Sequence, residues 1–189
     1  CMFIDQKFLI FSLIAITLIS SFEFFQLLRK IFGLKNILTY ISITLFFSYI
    51  LIFSLFFYLL LVNPNTTYFI ILTLLICIMS DIGGLTFGKI FKGKKLTRIS
   101  PNKTVAGSIG SFIFSIILLL IFIKLKLISL SLGIVIYALS TSLFCQIGDI
   151  FISYLKRKAK IKDTGNILPG HGGVLDRLDS HLIATPLIL

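Results

Sequence analysis

Between Ser153 and Asp179 this chain sets Lys156, Arg157, Lys158, Lys160, Lys162 and Arg177 beside Asp163, Asp176 and Asp179, punctuated by Gly165, Pro169, Gly170, Gly172 and Gly173. Carboxylates bind hard divalent cations, and Lys and Arg grip phosphate oxygens, so these types at this density point to a polyanionic substrate held with metal. The stretch follows directly on an apolar run, where charge is costly to place and marks function. If the preceding helix continues beyond Gln146 and Asp149, then Asp149, Ser153, Lys156 and Arg157 share one face through spacings of three and four. A new helix expected near Val174 puts Asp176 and Asp179 one turn apart with Arg177 between them. Such a pair can share Mg²⁺, which favours a few carboxylates plus substrate phosphates. The plainer reading is favourable charge at a helix N-terminus. The glycines around His171 let the backbone bend closely over a ligand. His171 itself reads as a hydrogen-bonding group more readily than as a base, and His181 reads as structural.

Two upstream stretches could add to this chemistry. Asp81 lies inside an apolar run and is followed by Gly83, Gly84 and Gly88. An intramembrane acid marks function, whereas a carboxylate at a span end or paired with Lys89 is the plainer account. The glycines serve either close helix packing or close approach to a ligand. In RISPNKT, Arg98 and Lys103 stand among hydroxyls at a helix entry, a combination that can hold phosphate oxygens. The plainer account is a topology-setting basic loop with an ordinary helix cap. Lys92, Lys94 and Lys95 read as solvated or headgroup-facing charge.

The elements that must position these groups are apolar. With 57% hydrophobic residues, 13% charged residues and a mean hydropathy of +1.07, the chain belongs with integral membrane proteins. Lys and Arg number 18 against seven acids, but they cluster between apolar runs, which suits an anionic membrane surface or a phosphate-bearing substrate and excludes a nucleic-acid partner. Runs of the roughly 20 residues needed to cross a bilayer extend over Phe8–Leu28, Ile37–Val62, Tyr68–Ile90, Val105–Ile123 and Leu127–Ile150. A partial sixth starts near Leu182. The expected fold is an all-α polytopic membrane protein, one membrane domain over residues 1–189, and the unbroken apolar runs exclude a β-barrel. The positive-inside rule puts the connections bearing Arg29–Lys35, Lys89–Lys103 and Lys156–Lys162 in the cytoplasm, with the polar site. Cys1, Cys77 and Cys145 have no paired spacing, so neither a disulfide nor a zinc site is expected. Cys1 stands where an initiator is expected and the last run is cut at Leu189, so the chain reads as incomplete.

Taken together, Ser153, Lys156, Arg157, Lys162, Asp163, Gly165, Leu168, Pro169, His171, Gly172, Gly173, Asp176, Arg177 and Asp179 resemble the C-terminal signature of the phosphatidate cytidylyltransferases, or CDP-diacylglycerol synthases. SDIGGLTFGKIF and RISPNKTVAGSIGS resemble the membrane segments that precede it, so the likeness covers residues 76–189, taken as the catalytic part. Residues 1–75 share only hydrophobicity. The resemblance implies transfer of a cytidylyl group from CTP to phosphatidic acid, giving CDP-diacylglycerol and pyrophosphate, in a bacterial inner membrane. It implies catalytic roles for Lys162, Asp163, His171, Asp176 and Arg177, and phosphate binding by Arg98, Lys103, Ser153, Lys156 and Arg157. Metal ligands are expected among Asp149, Asp163, Asp176 and Asp179, for Mg²⁺ and, as the family suggests, K⁺. A homodimer is left open. The rival readings are a CTP-dependent polyprenol or phytol kinase and a cation transporter.

Overall fold

Backbone in hydrocarbon has no water to bond, so an apolar run satisfies its amides within itself and becomes a helix. The computed structural model describes residues 6–97, 100, 103–165 and 172–188. These form α1 (Gln6–Phe32), α2 (Ile37–Val62), α3 (Pro64–Phe91), α4 (Val105–Lys124), α5 (Leu132–Lys158) and α6 (Leu175–Ile188). Helices α1 to α5 are each long and apolar enough to cross a membrane, and the chain is an all-α polytopic membrane protein. Helix α5 differs most from the expected span. It starts later, at Leu132, and carries its polar end on to Lys158.

Local chemistry sets the ends. Asn36 caps α2 by accepting from the Leu38 N–H at 3.0 Å, and Thr104 caps α4 by accepting from the Gly107 N–H at 3.0 Å. Thr104 therefore fills the plain capping role foreseen for the RISPNKT loop. Helix α5 closes in a Schellman motif. Ile161 N–H donates to the Lys156 carbonyl and Lys160 N–H to the Arg157 carbonyl, both at 3.0 Å, with Lys160 in left-handed backbone at φ 56°.

The helices divide between two compact units, and α3, α5 and α6 each contribute residues to both. In the first unit, Cys1–Thr67 with Leu155–Leu178, α1 buries Thr17, Ser20, Glu23, Phe24, Leu27 and Leu28. Against α2 the Phe24 and Phe46 rings stack at 3.8 Å and Thr17 meets Ser54 at 2.7 Å. Only Thr39, Ile50 and Phe53 of α2 are buried. In the second unit, Tyr68–Tyr154 with Asp179–Leu189, α3 and α4 approach until their glycines touch. A Cβ at Gly83 would strike the Gly110 carbonyl, and one at Gly107 would lie 2.7 Å from the Gly84 carbonyl. Of the two roles open to these glycines, close packing is the one seen. The core of this unit joins Leu72, Ile76, Leu118, Leu119 and Ala138.

One expectation is corrected. Cys77 and Cys145, for which no disulfide is expected from spacing, form one between α3 and α5 with Cα atoms 6.0 Å apart. Both lie on helix faces that pack around Ala184, a neighbourhood made by tertiary packing and absent from their linear spacing.

Candidate active site

The first unit contains the densest polar assembly, built on the connection from α5 to α6. Because α5 runs on to Lys158, Lys156 stands in its last turns, and Asp176 stands in the first turn of α6. Lys156 Nζ donates to Asp176 Oδ1 at 2.8 Å, with the two side chains only 15% and 9% exposed, so water screens this pair little. Asp176 Oδ2 accepts from the Thr164 N–H at 2.8 Å and the Gly173 N–H at 3.1 Å. Burial pushes the Asp176 carboxyl up, but the hydrogen bonds from Lys156, Thr164 and Gly173, with the Lys156 charge, outweigh it and hold the group below its ordinary value.

Gly172 is the hinge of the connection. Its φ of 83° suits glycine, and a Cβ there would lie 3.0 Å from Asp176 Oδ2 and 3.4 Å from Asp163 Cβ. Asp163 and Asp176 thus flank one bare stretch of backbone. Asp163, Lys162 and Arg157 are exposed, and so is Arg177. Arg98 and His171 lie outside the described residues.

Beneath this connection lies a carboxylate that the sequence reading passed over. Glu23 of α1 is 1% exposed. Its Oε1 accepts from the Val174 N–H at 3.0 Å, and its Oε2 from the Leu175 N–H at 2.8 Å and the Thr164 hydroxyl at 3.0 Å. The signal is present in the sequence, since an acid inside an apolar span is a functional candidate wherever it falls, and the reasoning that marks Asp81 marks Glu23 equally. Thr164 carried no such signal. Its role comes from donating its amide to Asp176 and its hydroxyl to Glu23.

The second unit holds another polar cluster. Lys103 pairs with Asp149, and Ser153 Oγ donates to Asp149 Oδ1 at 3.4 Å. Asp81 is close enough to feel the charges of both Asp149 and Lys103. Behind them a row of hydroxyls and an amide crosses the bundle. Ser108 donates to Gln146 Oε1, Gln146 Nε2 donates to Ser142 Oγ at 3.5 Å, and Ser142 meets Ser80 at 2.8 Å. The Asp179 Oδ1 accepts from the Ser180 N–H at 2.8 Å, and its carbonyl lies where a Cβ on Gly148 would fall.

Among the described residues no three His, Cys, Asp or Glu side chains gather in a way that could hold a metal ion. Two carboxylates beside open backbone, with cations close by, are nonetheless a donor set that Mg²⁺ accepts when substrate phosphates and water complete its shell. Asp163 is exposed, whereas both Asp176 oxygens are engaged by Lys156, Thr164 and Gly173, so Asp176 would join such a set only by releasing one of these donors.

A model of the cytidylyltransferase family matches residues 2–189. The chain is 39% identical over 123 residues to a phosphatidate cytidylyltransferase of Staphylococcus saprophyticus, a match covering 64% of this chain and 47% of that protein. It is 41% identical over 126 residues to the protein of that name from Staphylococcus aureus strain COL, covering 64% and 47%. The protein of that name from Bacillus subtilis strain 168 is 41% identical over 111 residues, covering 58% and 41%. The chain thus spans about half the length of the curated relatives it matches. A family match over nearly every residue, on a chain whose acids and bases gather at the ends of apolar helices, leaves one assignment: the chain belongs to the cytidylyltransferase family.

Proposed function

We propose that this chain transfers a cytidylyl group from CTP to phosphatidic acid, forming CDP-diacylglycerol and pyrophosphate. The observation that carries the reading is the α5–α6 connection, where Asp163 and Asp176 flank Gly172 and Lys156 bonds Asp176. The relatives' shared name supplies the substrates. In the reaction a phosphatidate oxygen attacks the α-phosphorus of CTP, the bond from that phosphorus to the bridging oxygen breaks, and pyrophosphate departs. Both reactants are polyanions, so catalysis rests on positioning and on opposing their repulsion. Lys156, Arg157, Lys162 and Arg177 grip phosphate oxygens, and Arg98, Lys103 and Ser153 are further candidates for phosphate binding. His171 orients a phosphate as a donor. No covalent nucleophile is needed, because the lipid phosphate is already ionised near neutral pH.

Asp163 and Asp176 would hold Mg²⁺, with Asp149 and Asp179 as further candidate ligands and K⁺ as a second ion. Bound there, the metal would supply charge neutralisation at the phosphate oxygens. The reacting residues face the cytoplasm of a bacterial inner membrane, a reading supported by the clustering of cations in alternate connections. CTP then arrives from water while the lipid keeps its acyl chains in hydrocarbon. Whether one copy or two make the working unit is a matter for sizing in detergent.

The test is a liposome assay with phosphatidic acid, Mg²⁺ and CTP labelled at either the α- or the γ-phosphate. Label reaching lipid only from the α-position supports the proposal. Label reaching lipid from the γ-position would identify a kinase, and cation flux without turnover of CTP would identify a transporter.

A further inference from the structure

We propose that Glu23 is a positioning residue for this reaction, holding Thr164, Gly173 and the start of α6 so that Asp176 and its partner Lys156 are correctly placed. The inference rests on the proposed cytidylyl transfer for its functional half and on geometry for the rest.

An acid inside the first apolar span is costly to keep and needs compensation. Glu23 obtains it from donors more than 140 positions along the chain: the Thr164 hydroxyl, the Val174 N–H and the Leu175 N–H. Val174 and Leu175 open α6, whose first amides have no partner within the helix and carry the positive end of its dipole. Glu23 supplies an acceptor from outside the helix for the Leu175 N–H, the first of α6, and for the Val174 N–H just before it.

The glycines give a second and independent observation. A Cβ at Gly165 would lie 2.5 Å from Glu23 Oε1, and one at Gly173 would strike both Glu23 Oε2 and the Thr164 hydroxyl. Two glycines of the signature-like stretch therefore make room for this carboxylate, so their sparseness serves the anchor as well as any ligand. Thr164 completes the link. Its hydroxyl is held by Glu23 while its amide donates to Asp176, and Gly173, pressed against Glu23, gives its own amide to the same Asp176 oxygen. Displacing Glu23 displaces two of the three donors that fix Asp176.

Glutamine in place of Glu23 keeps the size but offers one acceptor oxygen, so donors on the other side face an NH₂ group. In folded full-length Glu23→Gln protein the exchange of the Val174 and Leu175 amides quickens. Its kcat for CDP-lipid falls by about 10²-fold, the loss expected for a small misplacement of reacting groups, while KM for CTP holds. Thr164→Ser keeps near-parent activity and Thr164→Val loses it. The Glu23→Gln/Thr164→Val double variant is no slower than the worse single variant, because the two act as one unit. A role confined to stability would lower the yield of folded protein and leave kcat per folded molecule unchanged.

Parent-like kcat and parent-like amide protection in Glu23→Gln overturn the proposal. If that variant does not fold, an unimpaired Thr164→Val overturns it instead. A parent that makes no CDP-lipid refutes the functional reading alone. The anchor is then decided by exchange, lost protection of Val174 and Leu175 upholding it and retained protection refuting it.

Discussion

Asp176 has both carboxylate oxygens engaged, one by Lys156 and the other by two backbone amides. Such an acid keeps the connection in shape, and under the proposed reaction its Lys156 partner must turn to an arriving phosphate. We expect Asp176→Asn to cut kcat by about 10²-fold, through loss of a proposed Mg²⁺ ligand and misplacement of Lys156. KM for CTP rises as well, because the lost carboxylate weakens the Mg²⁺ site that would hold the nucleotide phosphates. Steady-state kinetics on the folded variant checks both. Because the folded Asp176 value lies below the ordinary one, its stabilising contribution is full above the ordinary carboxylate pKa of about 3.9 and fades as pH falls through the lower folded value. Thermal unfolding of parent and Asp176→Asn should therefore differ at neutral pH and converge on acidification. At this scale the sequence disclosed Lys156, Asp163 and Asp176 by type and spacing. It disclosed Glu23 only as a lone acid in an apolar run, and Thr164 not at all, because a threonine in a loop has no signature until its two donors are seen to serve two acids.

Elements were more legible than contacts. Hydrophobic length alone located α1 to α4 to within a few residues, since in hydrocarbon the backbone has no alternative to the helix. Hydrophobic length ends the fifth run at Ile150, and the shared face of Asp149, Ser153, Lys156 and Arg157 is only a condition on further helix, so the continuation of α5 to Lys158 comes from the structure. Its exact stop does too, because Lys160 takes the left-handed position normally given to glycine. Replacing Lys160 with Gly should raise unfolding stability by about 0.5–1 kcal/mol by relieving that conformation. The opposite change at the neighbouring hinge should be harmful. Gly172→Ala meets both a φ of 83° and the Asp176 carboxylate, and should lose about 1–2 kcal/mol together with most activity, read by thermal unfolding and by the CDP-lipid assay. The glycines of α3 and α4 could be read from the sequence only as two alternatives, and backbone approach decided for packing.

For the whole molecule, the distribution of Lys and Arg predicts sidedness. A Lys162→Cys variant should react with an impermeant thiol reagent in inverted membrane vesicles and resist it in right-side-out ones, and the reverse pattern would put the polar connections outside. Pairing of Cys77 with Cys145 is the kind of fact that sequence alone withholds, since it depends on which faces of α3 and α5 turn toward Ala184. The bareness of α2 bears on the lipid environment. A 26-residue helix measures about 39 Å, against a hydrocarbon slab of about 30 Å. Within this chain only Thr39, Ile50 and Phe53 of α2 are buried. Mismatch between its length and the slab must be absorbed by leaning or by local thickening of the lipid. Vesicles of graded acyl length should accordingly change the inclination of α2, measurable by oriented infrared dichroism, and membrane thickness becomes a variable to which this chain is physically sensitive.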